Sequence, residues 1–266
     1  MSTTPESQAA QLIWHHWQAG SAFDLLPAAH RPQTRAQGYA AQACLPAAAN
    51  RTVVGWKIAA TSLAGQKHIH VSSPLAGRIL SGQVLEPGAV VPAAGNRMRV
   101  AEPEMAFMIG RDLQARQTPY TETEVMAAVS ALHVSLEIPN SRFAVFTEAG
   151  EAQLIADNAC AHQFILGPAA PALWRGLDLS QHRVQAQVVQ RNGNIWRREG
   201  SGAAVLGDPR TALTWLVNEL SGLGIDLLAG QFVTTGTCMP PIELNDGDNV
   251  VADFGALGQM GMRFGD

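Results

Sequence analysis

Arg99-Val100-Ala101-Glu102-Pro103-Glu104-Met105-Ala106-Phe107 sets two carboxylates two residues apart inside an apolar run. Residues i and i+2 of a strand share a face, so this stretch, read as a strand, stands Glu102 beside Glu104. Like charges that close repel unless something positive lies between them, and a divalent cation meets that need. A third carboxylate, Glu137, sits in a comparable run, Leu132-His133-Val134-Ser135-Leu136-Glu137-Ile138. Three acids carried on β-structure form a hard, oxygen-only ligand set, which suits Mg²⁺ or Mn²⁺ better than zinc. The competing reading is a solvated strand face on which the glutamates pair with Arg97 or Arg99, an ordinary arrangement. Pro103 weighs toward a special strand, because proline removes a ladder donor and marks edges or bulges. A glycosidase pair must approach opposite sides of one bond, which neighbours on one strand face do not do.

Downstream, Thr121-Glu122-Thr123-Glu124 is a capping box that predicts a helix through Val125–His133. Asp208-Pro209 supplies an N-cap and a first-turn proline for a helix carrying Leu213, Leu216, Val217 and Leu220 and ending near Gly222. Between the two, Arg183–Arg197 alternates around Asn192-Gly193, a hairpin signal. From Gln231 the chain reads as strand and turn. Upstream, Ala9, Leu12, Ile13 and Trp17 recur at helical spacing before Gly20, and a second helix is predicted from Thr34 to about Cys44, ahead of Pro46. From Thr52 short apolar runs are broken by Gly and Pro, with Val84-Leu85-Glu86-Pro87-Gly88 as a turn. The class is α+β, a helical segment over 1–50 and a strand-rich region over 51–266 forming one structural unit.

Hydrophobic residues make up 47% of the 266 and charged residues 15%, so the chain can bury a substantial core and is not disordered. A net charge of −4 gives no electrostatic reason to expect nucleic acid or an anionic membrane. No apolar run approaches a bilayer span, and the first seven residues lack the basic and apolar regions of a signal peptide. Cys44, Cys160 and Cys238 are widely spaced and read as reduced, buried thiols of a cytoplasmic protein.

Of the 18 basic residues only Lys57 and Lys67 are lysine. Lys67 lies among polar residues and reads as surface. Lys57 sits in Val53-Val54-Gly55-Trp56-Lys57-Ile58-Ala59, and lysine can be tuned as an acid or base where arginine stays charged. Burial beside Trp56 and Ile58, close to a cation, predicts a lowered pKa and a proton-shuttle role, with Trp56 and Ile58 facing the other way into packing. The plainer reading is a snorkelling lysine at a strand edge. His68 and His70, spaced for one strand face, read as structural or pocket-lining, and His70 is a candidate substrate contact. Asp157-Asn158 is a pair that shapes turns. Thr235-Gly236-Thr237 reads equally as a tight turn or as amides and hydroxyls that hold a substrate carboxylate. Trp14 and Trp17 on the early helices call for cover from a second copy, a homo-oligomer.

Taken in order, Gly55-Trp56-Lys57-Ile58, Glu102-Pro103-Glu104, Glu137-Ile138-Pro139-Asn140-Ser141-Arg142, Ala156-Asp157-Asn158-Ala159, Thr235-Gly236-Thr237-Cys238, Gly247-Asp248 and Ala252-Asp253-Phe254-Gly255 resemble the fumarylacetoacetate hydrolase superfamily. Within it they resemble the 2-keto-4-pentenoate hydratase and 4-oxalocrotonate decarboxylase branch, over roughly Val53 to Phe264. The resemblance implies a mixed β-roll with flanking helices behind an N-terminal helical segment. It implies a Mg²⁺ or Mn²⁺ site at Glu102, Glu104 and Glu137, a lysine near the substrate at Lys57, and Asp157 and Asn158 buttressing the site. It implies a homo-oligomeric enzyme of the kind used in aromatic catabolism, a metal-dependent hydratase of small 2-oxo or 2-hydroxydienoic acids. The alternatives it carries are decarboxylation, C–C hydrolysis, or an inactive partner subunit complexed with a pathway enzyme. Two positions depart from the pattern. Asn140 stands where many relatives have Asp, and Leu75, in Ser73-Pro74-Leu75-Ala76-Gly77, stands where well-known hydratases carry an acid after the proline.

Overall fold

Three helices open the chain in the computed structural model, which describes residues 4–265. Helix α1 (Pro5–Ala19) is capped by the Thr4 hydroxyl, which accepts from the Ser7 amide, and stops at Gly20, whose φ of 60° is left-handed. Helix α2 (Arg35–Ala43) begins with a capping box between Thr34 and Gln37, a device that stabilises a helix start by about 1 kcal/mol. Helix α3 (Leu45–Ala49) completes the segment. Residues 1–3 and residue 266 of the two regions expected from the sequence lie outside the described residues, as do the first three of the seven residues searched for a leader. Trp14 is 8% exposed and stacks on Trp17 at 4.7 Å. Arg51 lies over both rings and His162 packs against Trp17. These tryptophans are covered within the chain, so they supply no reason for a second copy.

From Val53 on, the chain is mainly strands. They are β1 (Val53–Ala59), β2 (Leu75–Leu80), β3 (Val84–Leu85), β4 (Val90–Val91), β5 (Val100–Ile109), β6 (Val129–Ile138), β7 (Gln163–Ala169), β8 (Arg183–Val189), β9 (Ile195–Ser201), β10 (Phe232–Thr237), β11 (Ile242–Glu243), β12 (Asn249–Asp253) and β13 (Gln259–Phe264). One curled sheet runs β2-β1-β10-β5-β6-β7-β3, with β11 added on β5, and a five-stranded sheet runs β4-β13-β12-β8-β9. Strand β13 packs against β6 and β7, which brings the two sheets together over one large apolar core. Helices α4 (Leu63–His68), α5 (Glu122–Ala128), α6 (Glu151–Ala156) and α7 (Pro209–Gly222) fill the connections. Helix α6 docks on α2, and α7 docks on α5 and β10. The class is therefore α+β with a mixed roll, as the sequence indicates. Among the described residues no helix is long and apolar enough to cross a membrane.

Local signals place most boundaries. Asp208 caps α7 through the Arg210 amide, with Pro209 in its first turn. The Asn192-Gly193 turn joins β8 to β9. Helix α5 is the exception. Its capping box forms, but the helix ends at Ala128 rather than His133. Val129 onward pairs along β5, and a ten-residue ladder with buried Leu132, Val134, Leu136 and Ile138 outweighs helical continuation.

Candidate active site

The central pair of strands builds the acidic cluster. In the antiparallel register Glu102 faces Glu137 directly and Glu104 faces Ser135, so the i, i+2 pair on β5 meets the third acid across the ladder. One carboxylate oxygen from each of Glu102, Glu104 and Glu137 lies within 4.8 Å of the others. Glu104 is 0% and Glu137 2% exposed, and Glu102 is half-buried. Arg97 and Arg99 do not pair with them. Arg97 donates to the Ser141 carbonyl at 2.6 Å and Arg99 pairs with Asp246, so the solvated-face reading does not hold.

Two of the three acids are held by one oxygen and leave the other without a partner. Glu104 Oε2 accepts from the Thr234 hydroxyl and, at 2.9 Å, from the Gly236 amide. That amide is turned toward it by an irregularity in β10, where Thr234 faces Ala106 but Thr237 faces Glu104. Gly236 has φ 105°, and a Cβ there would land on the Thr61 hydroxyl. Glu137 Oε1 lies 3.0 Å from Lys57 Nζ. Glu104 Oε1 and Glu137 Oε2 are buried with no hydrogen-bond partner. Unpartnered buried carboxylate oxygens are costly, and their convergence fits a hard divalent cation. Among the described residues no other group of three or more His, Cys, Asp or Glu is so placed. Without a cation, burial pushes all three acids above the usual range, helped by neighbouring carboxylates at Glu102, which reaches about 7, and at Glu104, and opposed by Lys57 at Glu137.

Lys57 is 3% exposed on β1, between Thr234 of β10 and Gly77 of β2. A Cβ on Gly77 would stand 2.5 Å from the Asn158 carbonyl oxygen and 3.0 Å from Lys57 Cγ and Cδ, so the turn at Asn158 and the lysine stem together exclude a side chain there. Lys57 Nζ donates to the Ala159 carbonyl at 2.9 Å besides pairing with Glu137. It therefore shares the face of the glutamates and is no snorkelling edge residue. Trp56 and Ile58 are buried, although Ile58 also borders the cavity described below. The lowering of the lysine pKa is expected beside a cation, and in the metal-free site the shift is upward. Desolvation does lower it, but Glu137, Glu102 and Glu104 outweigh that and hold the ammonium charged.

The carbonyl that Lys57 uses comes from a strained turn. Asn158, Ala159 and Cys160 all have positive φ, of 58°, 50° and 63°, a costly run for residues with side chains. Two anchors hold it. Asn158 accepts from the Arg78 amide and donates to its carbonyl, both at 2.7 Å. Asp157 pairs with Arg142 and accepts from the Ser141 hydroxyl at 2.6 Å. Asn140, the other departure from the pattern, accepts from the Arg97 amide and donates to the Gly95 carbonyl.

A cavity of about 850 Å³ opens on this cluster, bordered by Lys57, Glu102, Gly236 and Thr237. The remaining expected contacts lie elsewhere. Thr235 is buried and its hydroxyl donates to the Met105 carbonyl. His70 sits in no strand. It follows α4, and its ring meets the Thr147 carbonyl at 3.2 Å. His68 lines the cavity instead. Leu75 is fully buried in β2 and absent from the cavity wall. Thr234, Cys160 and Cys238 belong to the site and went unassigned. Strand alternation would have paired Thr234 with Gly236.

The chain matches the family model for the fumarylacetoacetate (FAA) hydrolase C-terminal domain over residues 53–264. It is 30% identical to a 2-keto-4-pentenoate hydratase of Paraburkholderia xenovorans (strain LB400), covering 99% of this chain and 96% of that one. It is 32% identical to a 2-hydroxyhexa-2,4-dienoate hydratase of Comamonas testosteroni, covering 82% and 80%. Among solved structures it resembles 4-oxalocrotonate decarboxylase from Pseudomonas putida G7, complexed with magnesium and adipate. That likeness has a TM-score of 0.84 and 24% identity, and covers 99% of this chain and 98% of the other.

Proposed function

We propose that this chain, which belongs to the fumarylacetoacetate hydrolase family, hydrates small 2-oxo and 2-hydroxydienoic acids with the help of Mg²⁺ or Mn²⁺. The observation that carries the reading is the cluster of Glu102, Glu104 and Glu137 with Lys57 against it, at the floor of a cavity open to solvent. The hydratase names of the relatives and the magnesium in the decarboxylase structure support it. Glu102, Glu104 and Glu137 would hold the cation, which would supply positive charge to stabilise developing negative charge on a 2-oxo acid.

The chain's own residues do the rest. The dienol loses the proton of its C2 hydroxyl and gains one on its terminal carbon, giving the conjugated ketone to which water adds at C4. Lys57 Nζ carries that proton. It holds three hydrogens, is aimed by Glu137 and the Ala159 carbonyl, and borders the cavity. The Gly236–Thr237 edge is also on the wall; the Gly236 amide and Thr237 hydroxyl are engaged by Glu104 and the Met239 carbonyl, so the edge would border the substrate carboxylate as wall. Asp157 and Asn158 act through the turn that presents Ala159. Decarboxylation is the second reading, of a 2-oxo acid with a second carboxylate at its far end whose C–C bonding pair passes to the C2 enolate as CO₂ leaves, and it is favoured by Leu75, which offers no group to deliver water.

A panel of 2-oxo and 2-hydroxydienoic acids with Mg²⁺ or Mn²⁺ separates the two. Loss of dienol absorbance without CO₂ supports hydration, CO₂ release supports decarboxylation, and no turnover with any acid rejects both. We place the protein in the cytoplasm, where its three free thiols stay reduced. We further propose a homo-oligomer, on the family resemblance alone, and light scattering that shows only a 28.3 kDa species rejects it.

A further inference from the structure

The cavity is far larger than the reacting part of its proposed substrates. At about 850 Å³ it matches pockets that enclose drug-sized ligands, roughly 300–1,000 Å³. A five-carbon 2-oxo acid, closely packed, fills on the order of 150 Å³. The excess is apolar. The floor is ionic, formed by Lys57 and the half-buried Glu102, with Glu104 and Glu137 buried beside them in the same cluster. Toward solvent the lining includes Ile69, Met98, Phe146, Pro240 and Pro241, with Met239 buried beside the prolines. Ile69, Met98 and Phe146 are half-buried and the two prolines are exposed, which marks them as the outer wall and mouth. His68 adds aromatic surface, its ring edge-on to Phe146 at 5.7 Å.

Charge is missing from that outer part. Among the described residues lining the cavity, Lys57 is the only lysine or arginine, and its ammonium is already engaged by Glu137 and the Ala159 carbonyl. Arg198 stands just behind the mouth. Its guanidinium donates to the Pro240 and Pro241 carbonyls and lies 3.0 Å from Glu243. It therefore braces the rim and has its charge balanced there. A carboxylate carried to the outer wall would lose water and find no free cation, which is unfavourable. An alkyl or aryl group there would exchange water for apolar wall.

We propose that the site selects 2-oxo monocarboxylates whose far end carries an apolar substituent of several carbons, and that it discriminates against a second carboxylate at that end. The orientation, carboxylate at the floor and tail toward the mouth, rests on the function proposed above.

Binding of unreactive analogues tests this apart from catalysis. Calorimetric titration of the magnesium-loaded protein would compare 2-oxopentanoate, 2-oxooctanoate and 2-oxoadipate. Each added methylene is expected to tighten binding about three- to fourfold, so 2-oxooctanoate should bind at least about tenfold more tightly than 2-oxopentanoate. 2-Oxoadipate should bind more weakly than either. Ile69→Arg, which sets a cation on the outer wall, should shift the ratio toward 2-oxoadipate. Equal or tighter binding of 2-oxoadipate by the unaltered protein, or no gain with chain length, overturns the proposal. If the alkyl acids rank as expected while no dienol is turned over, the hydratase reading fails and the specificity stands. If none binds, both fall.

Discussion

Glu104→Gln separates the metal from the fold, because it should move two stabilities in opposite directions. In the metal-free protein Glu104 is buried, one oxygen is unpartnered, and burial with Glu137 and Glu102 pushes its carboxyl well above the usual range. The amide can keep an oxygen on the Thr234 hydroxyl and the Gly236 amide. Its NH₂ then points at the remaining carboxylates as a donor. Neutralising an uncompensated buried charge in this way should raise metal-free stability at pH 8 by about 1–4 kcal/mol. The wild type should gain from the cation instead, about 2.7 kcal/mol at a free Mg²⁺ concentration roughly a hundredfold above Kd. At about 2–4 °C per kcal/mol for a chain of this size, that is a rise in Tm of roughly 5–10 °C. The assay is thermal unfolding at pH 8, with EDTA and with a magnesium series. The variant should start higher than wild type in EDTA and show no magnesium-dependent rise. A variant that starts several degrees lower, or that keeps the full magnesium shift, refutes the cation site.

Lys57→Ala should cut turnover by at least about a hundredfold, the usual scale for losing a general acid–base, without raising the magnesium titration midpoint, since the positive charge it removes lies against a proposed ligand. Because Glu137 then loses its partner, the metal-free variant should also be less stable, by about 3–5 kcal/mol. Turnover within a few-fold of wild type would remove Lys57 from the chemistry. Gly236→Ala should lower Tm and weaken the magnesium response together, since the positive φ and the Thr61 hydroxyl exclude a side chain, a strain of about 1–3 kcal/mol; an unchanged Tm contradicts the close approach. His162 gives a pH effect. Burial first, then Arg142 and Arg97, lower its pKa from 6.5 to about 3. The unfolded chain therefore binds a proton that the folded one refuses between those values, and stability falls as pH drops below 6.5, by at most about 1.4 kcal/mol per unit. Denaturant midpoints between pH 7 and 4.5 should fall less steeply in His162→Gln, and parallel slopes would exclude it as the source.

What the sequence reveals about this site is what the backbone period controls. Two residues apart on a strand means one face, so Glu102 and Glu104 can be paired by inspection, and Glu137 joins them because its run is long and apolar enough to be the neighbouring strand. The helix starts at Thr34, Thr121 and Asp208 are equally local. Helix α5 shows the limit. Val129 leaves the helix because of what β5 presents to it, and β5 lies some twenty residues earlier in the chain. The tryptophan pair was misjudged for the same reason, since its cover comes from Arg51 and His162. His70 and Thr235 carry the right chemistry but not the right direction, which the helix before one and the irregular pairing beside the other decide.

The charge on Lys57 is the least local property, and it connects the rest. From Trp56 and Ile58 alone, burial predicts a lysine that sheds its proton readily. The folded site sets three carboxylates against it and reverses the sign. Three carboxylates less one ammonium leave two negative charges without compensation in a buried place. The metal-free protein can reduce that excess only by taking up protons, which is why Glu102 is pushed up to about 7. A divalent cation removes the same excess without protonating any ligand, and in doing so withdraws the attraction that holds the lysine charged. Burial, which lowers the lysine pKa, then acts with less opposition. The strand period that sets Glu102 beside Glu104 thus also ties Lys57's readiness to give up a proton to the filling of the site, so proton transfer at Lys57 should follow cation occupancy.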